Sequence, residues 1–340
     1  MTYRRGTPGG GTPPNSSQTP PASETRDNSS VSKQTRMIAI DIDGTLAGVD
    51  GRVSSRNLAA LKAAERAGIE IVIATGRRHC YAMRVLRDLA LSDDNVLISS
   101  NGTVIRTIGA TLIHRTHLPL PTARWLCGHV DEFRNALVMT FDKVGSDGED
   151  ARGALVVERL DELNASIGRW MEANEPYIAC LDPVEQALEG DAPIQMMLCG
   201  TIERMRRAEA RLLEHPAVST VGTPAPVCPT AIEVALHRTE YPERDLSMLD
   251  MLPAGCSKGA ALLRLAADQQ IDPSEITAIG DNWNDLSMLE IAGQAILMGN
   301  APEDLRALAA KRGWIVGNRH DQDGVAEIIE SALADERVTQ

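Results

Sequence analysis

From residue 37 onward, short apolar runs alternate with longer stretches of helical periodicity. Residues 37–42 form the first apolar run, and a run of this length predicts a buried strand. Ser54 or Ser55 then supplies an N-cap for a helical stretch through about Ala67, which Gly68 ends. Residues 69–74 form a second run, followed by a helical stretch over about 78–91 and a third strand at 96–99. The same alternation returns near the C-terminus, with a helix over about 258–269, a strand at 276–279, a helix at 285–292 and a strand at 295–298. A helix opened by Pro302, a strand at 314–316 and a last helix from about Val325 complete it. Such alternation predicts an α/β fold, a doubly wound, Rossmann-like parallel sheet with helices on both faces.

The middle of the chain breaks this rhythm. Strand-like pieces at 136–141, 194–199 and 230–236 alternate with helical stretches at 160–173 and 201–215. They predict a separate α+β unit inserted between the two halves of the core. The expected domains are therefore a tail at 1–36, the first half of the core at 37–117, the insertion at 118–245 and the second half of the core at 246–340. The tail is rich in Gly, Pro, Ser and Thr and nearly lacks apolar residues, so it is expected to be disordered. Its five basic residues (Arg4, Arg5, Arg26, Lys33, Arg36) and two acidic ones (Glu24, Asp27) leave it at +3. A flexible tail is one expectation for this segment, and a true start of translation at Met37 is the other.

Composition narrows the function classes. The chain has 340 residues, 43% of them apolar, enough for a sizeable core. No apolar run approaches the ~20 residues of a membrane span. A net charge of -13 and an aromatic content of 3% argue against a nucleic-acid partner, which calls for clustered Lys and Arg or stacking platforms. The six cysteines (Cys80, Cys127, Cys180, Cys199, Cys228, Cys256) include no C-x-x-C pair, the pattern of reduced thiols in a cytoplasmic protein. Of the histidines only His114 and His117 lie close together, and no neighbouring Cys or carboxylate completes a metal set. Met196 and Met197 are expected in the core of the insertion.

Three clusters fall where strands of the parallel sheet should end, the position at which open α/β sheets bind ligands. In Asp41-Ile42-Asp43-Gly44-Thr45, carboxylates at i and i+2 project to one side, a costly pairing unless a cation or a phosphate-handling task offsets it. The plainer reading is an Asp/Gly turn. Thr75-Gly76-Arg77 offers a hydroxyl and backbone N–H groups at a helix start, able to hold a phosphate oxygen or merely to cap. Lys258 follows a plausible Ser257 cap, where a cation opposes the helix dipole, so it is either a site residue or a solvated lysine. Asp281 and Asp285 bring further carboxylates to a strand end. Together with Asp41 and Asp43 they suggest a Mg²⁺ cradle.

The order and text of these clusters resemble the haloacid dehalogenase superfamily, and within it the Cof-type phosphatases with a large cap between the second and third motifs. The matching segments are DIDGTLAG (41–48), ATGR (74–77), ISSNG (98–102), SKGAAL (257–262), GDNWNDLSML (280–289), MGNAPEDL (298–305) and DGVAEII (323–329). They span the core and leave the cap weakly matched. The resemblance implies a Mg²⁺-dependent phosphatase of a small phosphorylated metabolite, foremost a sugar phosphate. Asp41 would be the nucleophile and Asp43 the general acid and base. Thr75, Gly76, Lys258 and Asn284 would hold the phosphate. Asp41, the carbonyl of Asp43 and Asp281 would hold the metal, and Asp285 would orient Lys258 or support the metal ligands. Asn282, where many relatives have Gly or Ser, and Ala47-Gly48 depart from the pattern without removing a charge. A phosphomutase would share all of this chemistry, and a silent binding protein would be expected to have lost one of the charged residues.

Overall fold

The structure is a computed structural model and describes residues 34–339 except 49, 146 and 221–230. Residues 1–33 of the expected tail, Cys228 and the first residue of the strand expected at 230–236 lie outside the described residues. The chain opens with β1 (Met37–Ile40), α1 (Ser55–Arg66), β2 (Glu70–Ala74), α2 (His79–Leu86), β3 (Val96–Ser99), β4 (Val104–Thr107) and β5 (Leu112–Arg115). Next come α3 (Leu120–His129), β6 (Leu137–Thr140), β7 (Leu155–Val157), α4 (Asp161–Asn174), β8 (Ile178–Cys180), β9 (Gln195–Gly200), α5 (Ile202–Leu213), β10 (Val218–Thr220), β11 (Val234–Tyr241) and β12 (Leu246–Pro253). It closes with α6 (Lys258–Asp268), β13 (Ile276–Gly280), α7 (Leu286–Ile291), β14 (Gln294–Leu297), α8 (Glu303–Arg312), β15 (Ile315–Val316) and α9 (Gly324–Thr339).

The core sheet has the order β15-β14-β13-β1-β2-β3-β4-β5. Its first six strands are parallel, and β4 and β5 extend it antiparallel, an addition the strand–helix alternation does not predict. All four residues of β1 are fully buried, as a central strand covered on both faces requires. Ile38 and Ile40 pack toward α1, α2 and α9, while Met37 and Ala39 pack toward α6, α7 and α8. Ser54 and Ser257 cap α1 and α6 as expected, their hydroxyls accepting from the N–H groups of Asn57 and Ala260 at 3.0 Å. The chain leaves β1 toward β2 and β3 and later returns on the other side as β13. The strand order therefore switches between β1 and β13, which places a crevice at their carboxyl ends.

The inserted unit holds the second sheet, β10-β11-β12-β9-β6-β7-β8. The expected boundary at 245/246 falls inside it. β12 pairs with β11 from Tyr241↔Leu246 to Val234↔Pro253 and with β9 on its other edge, so the chain remains in the cap until Pro253. Alternation separates the two faces of this sheet. Met139, Met196, Leu198, Leu236 and Met251 pack with residues of α3 and α5, whereas Val138, Leu155, Met197 and Met248 pack with residues of α4. Met196 is thus cap core, but Met197, one residue on, lines the cleft. Among the described cysteines Cys180 is exposed and Cys80, Cys127, Cys199 and Cys256 are buried, all as free thiols. No described helix is long and apolar enough to cross a membrane.

Candidate active site

Asp41 is the residue after β1, and its N–H donates to the carbonyl of Ile279 at 3.0 Å, extending the β1–β13 register by one residue. The chain then turns sharply at Gly44, with φ +83°, where a Cβ would lie 2.4 Å from Oδ2 of Asp281. A glycine here lets the first strand end close over the other.

Lys258, at the start of α6, is fully buried. Its Nζ donates to Oδ1 of Asp41 and to Oδ1 of Asp285, both at 2.6 Å. The other oxygen of Asp285 accepts from the N–H groups of Asp281 (2.9 Å) and Asn282 (3.0 Å). Asp285 thereby holds both the lysine and the loop that presents Asp281. Asp281 accepts from Thr45 Oγ1 at 3.2 Å and from Asn300 Nδ2 at 3.1 Å, and Asn300 also donates to the carbonyl of Gly44 at 2.8 Å.

The electrostatics follow from one buried cation facing three buried acids. Burial, with Asp285 and Asp43 adding to it and Lys258 opposing, pushes Asp41 up to about 7. Burial and the neighbouring Asp41 and Asp285 raise Asp281 well above the carboxylate range. For Lys258, burial disfavours the ammonium, but Asp285 and Asp41 outweigh it and keep the group charged. Oxygens of Asp41, Asp281 and Asp285 lie within 4.8 Å of one another. With all three ionised and only Lys258 opposing, the cluster carries an excess of two negative charges, the deficit a divalent cation fills. An all-oxygen donor set suits Mg²⁺. Asp285 accepts three hydrogen bonds, one of them from the Lys258 ammonium, whereas Asp281 accepts two, both from neutral donors, and so keeps lone pairs for a cation beside Asp41.

Asp43 lines the same cleft but stands outside this cluster. Arg77 forks onto it, Nε to Oδ2 at 2.7 Å and a terminal nitrogen to Oδ1 at 2.5 Å. Thr75 is buried, and its Oγ1 accepts from the N–H of Arg77 at 3.1 Å, while Gly76 and Arg77 face the cleft. Asn284 donates to Oδ1 of Asn101 at 3.2 Å, and Asn101 donates to Oδ2 of Asp250 at 2.8 Å. Asp250 also accepts from Gln195, and burial pushes it up to about 7 against these two hydrogen bonds. Asn101 lies in a tight turn pressed onto the start of α6, where Gly102 has φ +98° and a Cβ would sit 2.2 Å from the carbonyl oxygen of Ser257.

The structure thus gathers Asp41, Lys258, Asp281 and Asp285 at the ends of β1, α6 and β13. It sets Asp43, Gly76 and Asn284 around the same cleft of about 540 Å³ under the cap sheet, with Thr75 buried next to Gly76. Residues that the motif reading left without a role are Arg77, Asn101, Asn300 and Asp250. The first three lie inside motifs already quoted. Asp250 had its own signal, a lone acid within the apolar run 246–253.

Comparison with known proteins agrees with this architecture. The sequence profile of haloacid dehalogenase-like hydrolases matches residues 38–329. The chain is 30% identical over 315 residues to phosphatase YwpJ of Bacillus subtilis, covering 88% of this chain and all of that protein. It is 28% identical over 316 residues to the 5-amino-6-(5-phospho-D-ribitylamino)uracil phosphatase YwtE of the same organism, covering 88% and 98%. A solved haloacid dehalogenase-like hydrolase from B. subtilis superposes with a TM-score of 0.65 at 26% identity, covering 87% of this chain and 99% of that one.

Proposed function

This chain belongs to the haloacid dehalogenase-like hydrolases and is a phosphatase of small phosphorylated metabolites, and we propose that it works with Mg²⁺ through an aspartyl-phosphate on Asp41. The observation that carries this reading is the buried Lys258 shared by Asp41 and Asp285, with Asp281 beside them on the adjacent strand end. An ionised carboxylate fixed by an ammonium at a strand terminus is a positioned nucleophile.

In the first step an oxygen of Asp41 attacks the substrate phosphorus and the bond to the leaving oxygen breaks. Asp43 donates the proton that the leaving oxygen takes up. In the second step water attacks the phosphorus of the aspartyl-phosphate and yields its proton to Asp43, which restores both residues. The Arg77 fork closes on the Asp43 carboxylate, so it must open before Asp43 carries a proton to the leaving oxygen. Lys258, Asn284, the Gly76 backbone and Thr75 would hold the phosphoryl oxygens, and preorganised donors of this kind are the largest catalytic term. Asp41, Asp281 and the carbonyl of Asp43 would hold Mg²⁺, which supplies positive charge against the phosphoryl oxygens. The cap sheet covers the cleft and would keep bulk water out during the first step, leaving access for the single water that hydrolyses the acyl phosphate.

The reading is tested by phosphate release from a panel of sugar phosphates and phosphorylated cofactors, with Mg²⁺, with chelator and with Asp41→Asn. Release that needs Mg²⁺ and vanishes in the variant supports it. Release that persists in folded Asp41→Asn protein removes Asp41 as nucleophile.

A further inference from the structure

We infer that the cap selects a leaving group bearing a second anionic group, a carboxylate or another phosphate, at Arg169 and Arg244. This rests on the phosphatase reading and narrows its substrate class. The acids of the cleft are all engaged: Asp41 holds Lys258, Asp43 holds Arg77, and Asp250 accepts from Asn101 and Gln195. Two of its four lining arginines are likewise committed. Arg77 is clamped by Asp43, and Arg78 by Asp150 and Asn174.

Arg169 on α4 and Arg244 in the turn between β11 and β12 line the same cleft; both side chains are exposed, and neither guanidinium meets a carboxylate or any other hydrogen-bond partner among the described residues. They come from separate elements of the cap and converge on one cleft. The phosphoryl end of a substrate is already served by Lys258 and the metal cradle. Two unspent guanidiniums on the cap side therefore suit an anion on the leaving group, because the fork geometry of Arg matches carboxylate and phosphate oxygens.

Matched substrates isolate this claim. Glucose 6-phosphate and gluconate 6-phosphate share a carbon chain and differ in a carboxylate. Fructose 6-phosphate and fructose 1,6-bisphosphate differ in a second phosphate. With the full chain and Mg²⁺, at least one anionic member is expected to exceed its neutral partner by roughly 10- to 100-fold in kcat/KM, the range of one charge-assisted hydrogen bond. The gain should lie mainly in KM. In Arg169→Gln and Arg244→Gln the ratio should fall toward one, and Arg169→Glu should invert it. Equal kcat/KM within both pairs, or a preference untouched by these variants, would overturn the inference while leaving the phosphatase reading intact. If p-nitrophenyl phosphate and every member of the panel go unhydrolysed by folded protein, both fall together.

Discussion

Replacing Asp250 by Asn tests the electrostatics of the cap–core junction through stability alone. The carboxylate is buried, accepts from two neutral amides and is pushed from 3.8 to about 7 by that burial. The charged groups that face it are few. Lys258 favours its ionised form, and His237, opposite it on β11, is drawn by burial to about 4 and so stays neutral near pH 7. Between the unfolded and folded pKa values the native state binds the extra proton, so stability falls as pH rises across that window. A shift from 3.8 to about 7 amounts to about 4 kcal/mol once the pH exceeds the folded value. Some 2–3 kcal/mol of this is lost between about pH 5 and about pH 8. Asn keeps the shape without the charge, so Asp250→Asn should lack this loss. The assay is urea unfolding of wild type and variant across that range at equal Mg²⁺, so that the other acids cancel in the difference. The variant should gain on wild type by roughly 2–3 kcal/mol from the acid to the alkaline end. A difference that stays flat with pH would refute the assignment of a buried, pH-titrating carboxylate.

Three further perturbations bear on the site. Saturating Mg²⁺ should stabilise the wild type by about 2–3 kcal/mol at a hundredfold excess over Kd, read as a rise in Tm. That rise should largely disappear in Asp281→Asn, and an undiminished one would remove Asp281 from the metal set. Asp285→Asn unties Lys258 and the 281–282 loop together, so kcat should fall by about 100-fold with KM little changed, and wild-type turnover would contradict the positioning role. Gly102→Ala combines a positive φ with a Cβ 2.2 Å from a backbone oxygen, so denaturant unfolding should show a loss of at least about 2 kcal/mol. A neutral result would show that the turn can move away from α6.

The chemistry of this chain is legible where it is local. Asp41, Asp43, Asp281 and Asp285 follow strands whose apolar runs are unmistakable, and Ser257-Lys258 opens a helix with its own capping signal. Parallel-sheet topology then brings those ends together without further information. What the sequence hides depends on register. Arg77 reaches Asp43 across 34 residues, and Asn101 reaches Asp250 across 149, through a contact that exists only once β12 is seated in the cap sheet. The expected boundary at 245/246 differs from the observed one for the same reason. The strand at 246–253 carries no local mark of which sheet it joins, and only its pairing with β11 and β9 assigns it to the cap. The β4–β5 hairpin reads as ordinary sequence between motifs. The cap lining is the least visible part, because alternate residues of a two-faced sheet look alike until one face is covered.

Covalent catalysis by Asp41 predicts an intermediate that can be trapped. Acid-quenched protein mixed with p-nitrophenyl phosphate and Mg²⁺ would be digested and examined by mass spectrometry. In Asp43→Asn, which lacks the base for the second step while this leaving group needs little acid in the first, the peptide containing Asp41 should carry the mass of one phosphoryl group. The same peptide should be unmodified when Asp41 is changed to Asn. Turnover by wild type with no adduct on that peptide in Asp43→Asn, or an adduct on another residue, would contradict the account.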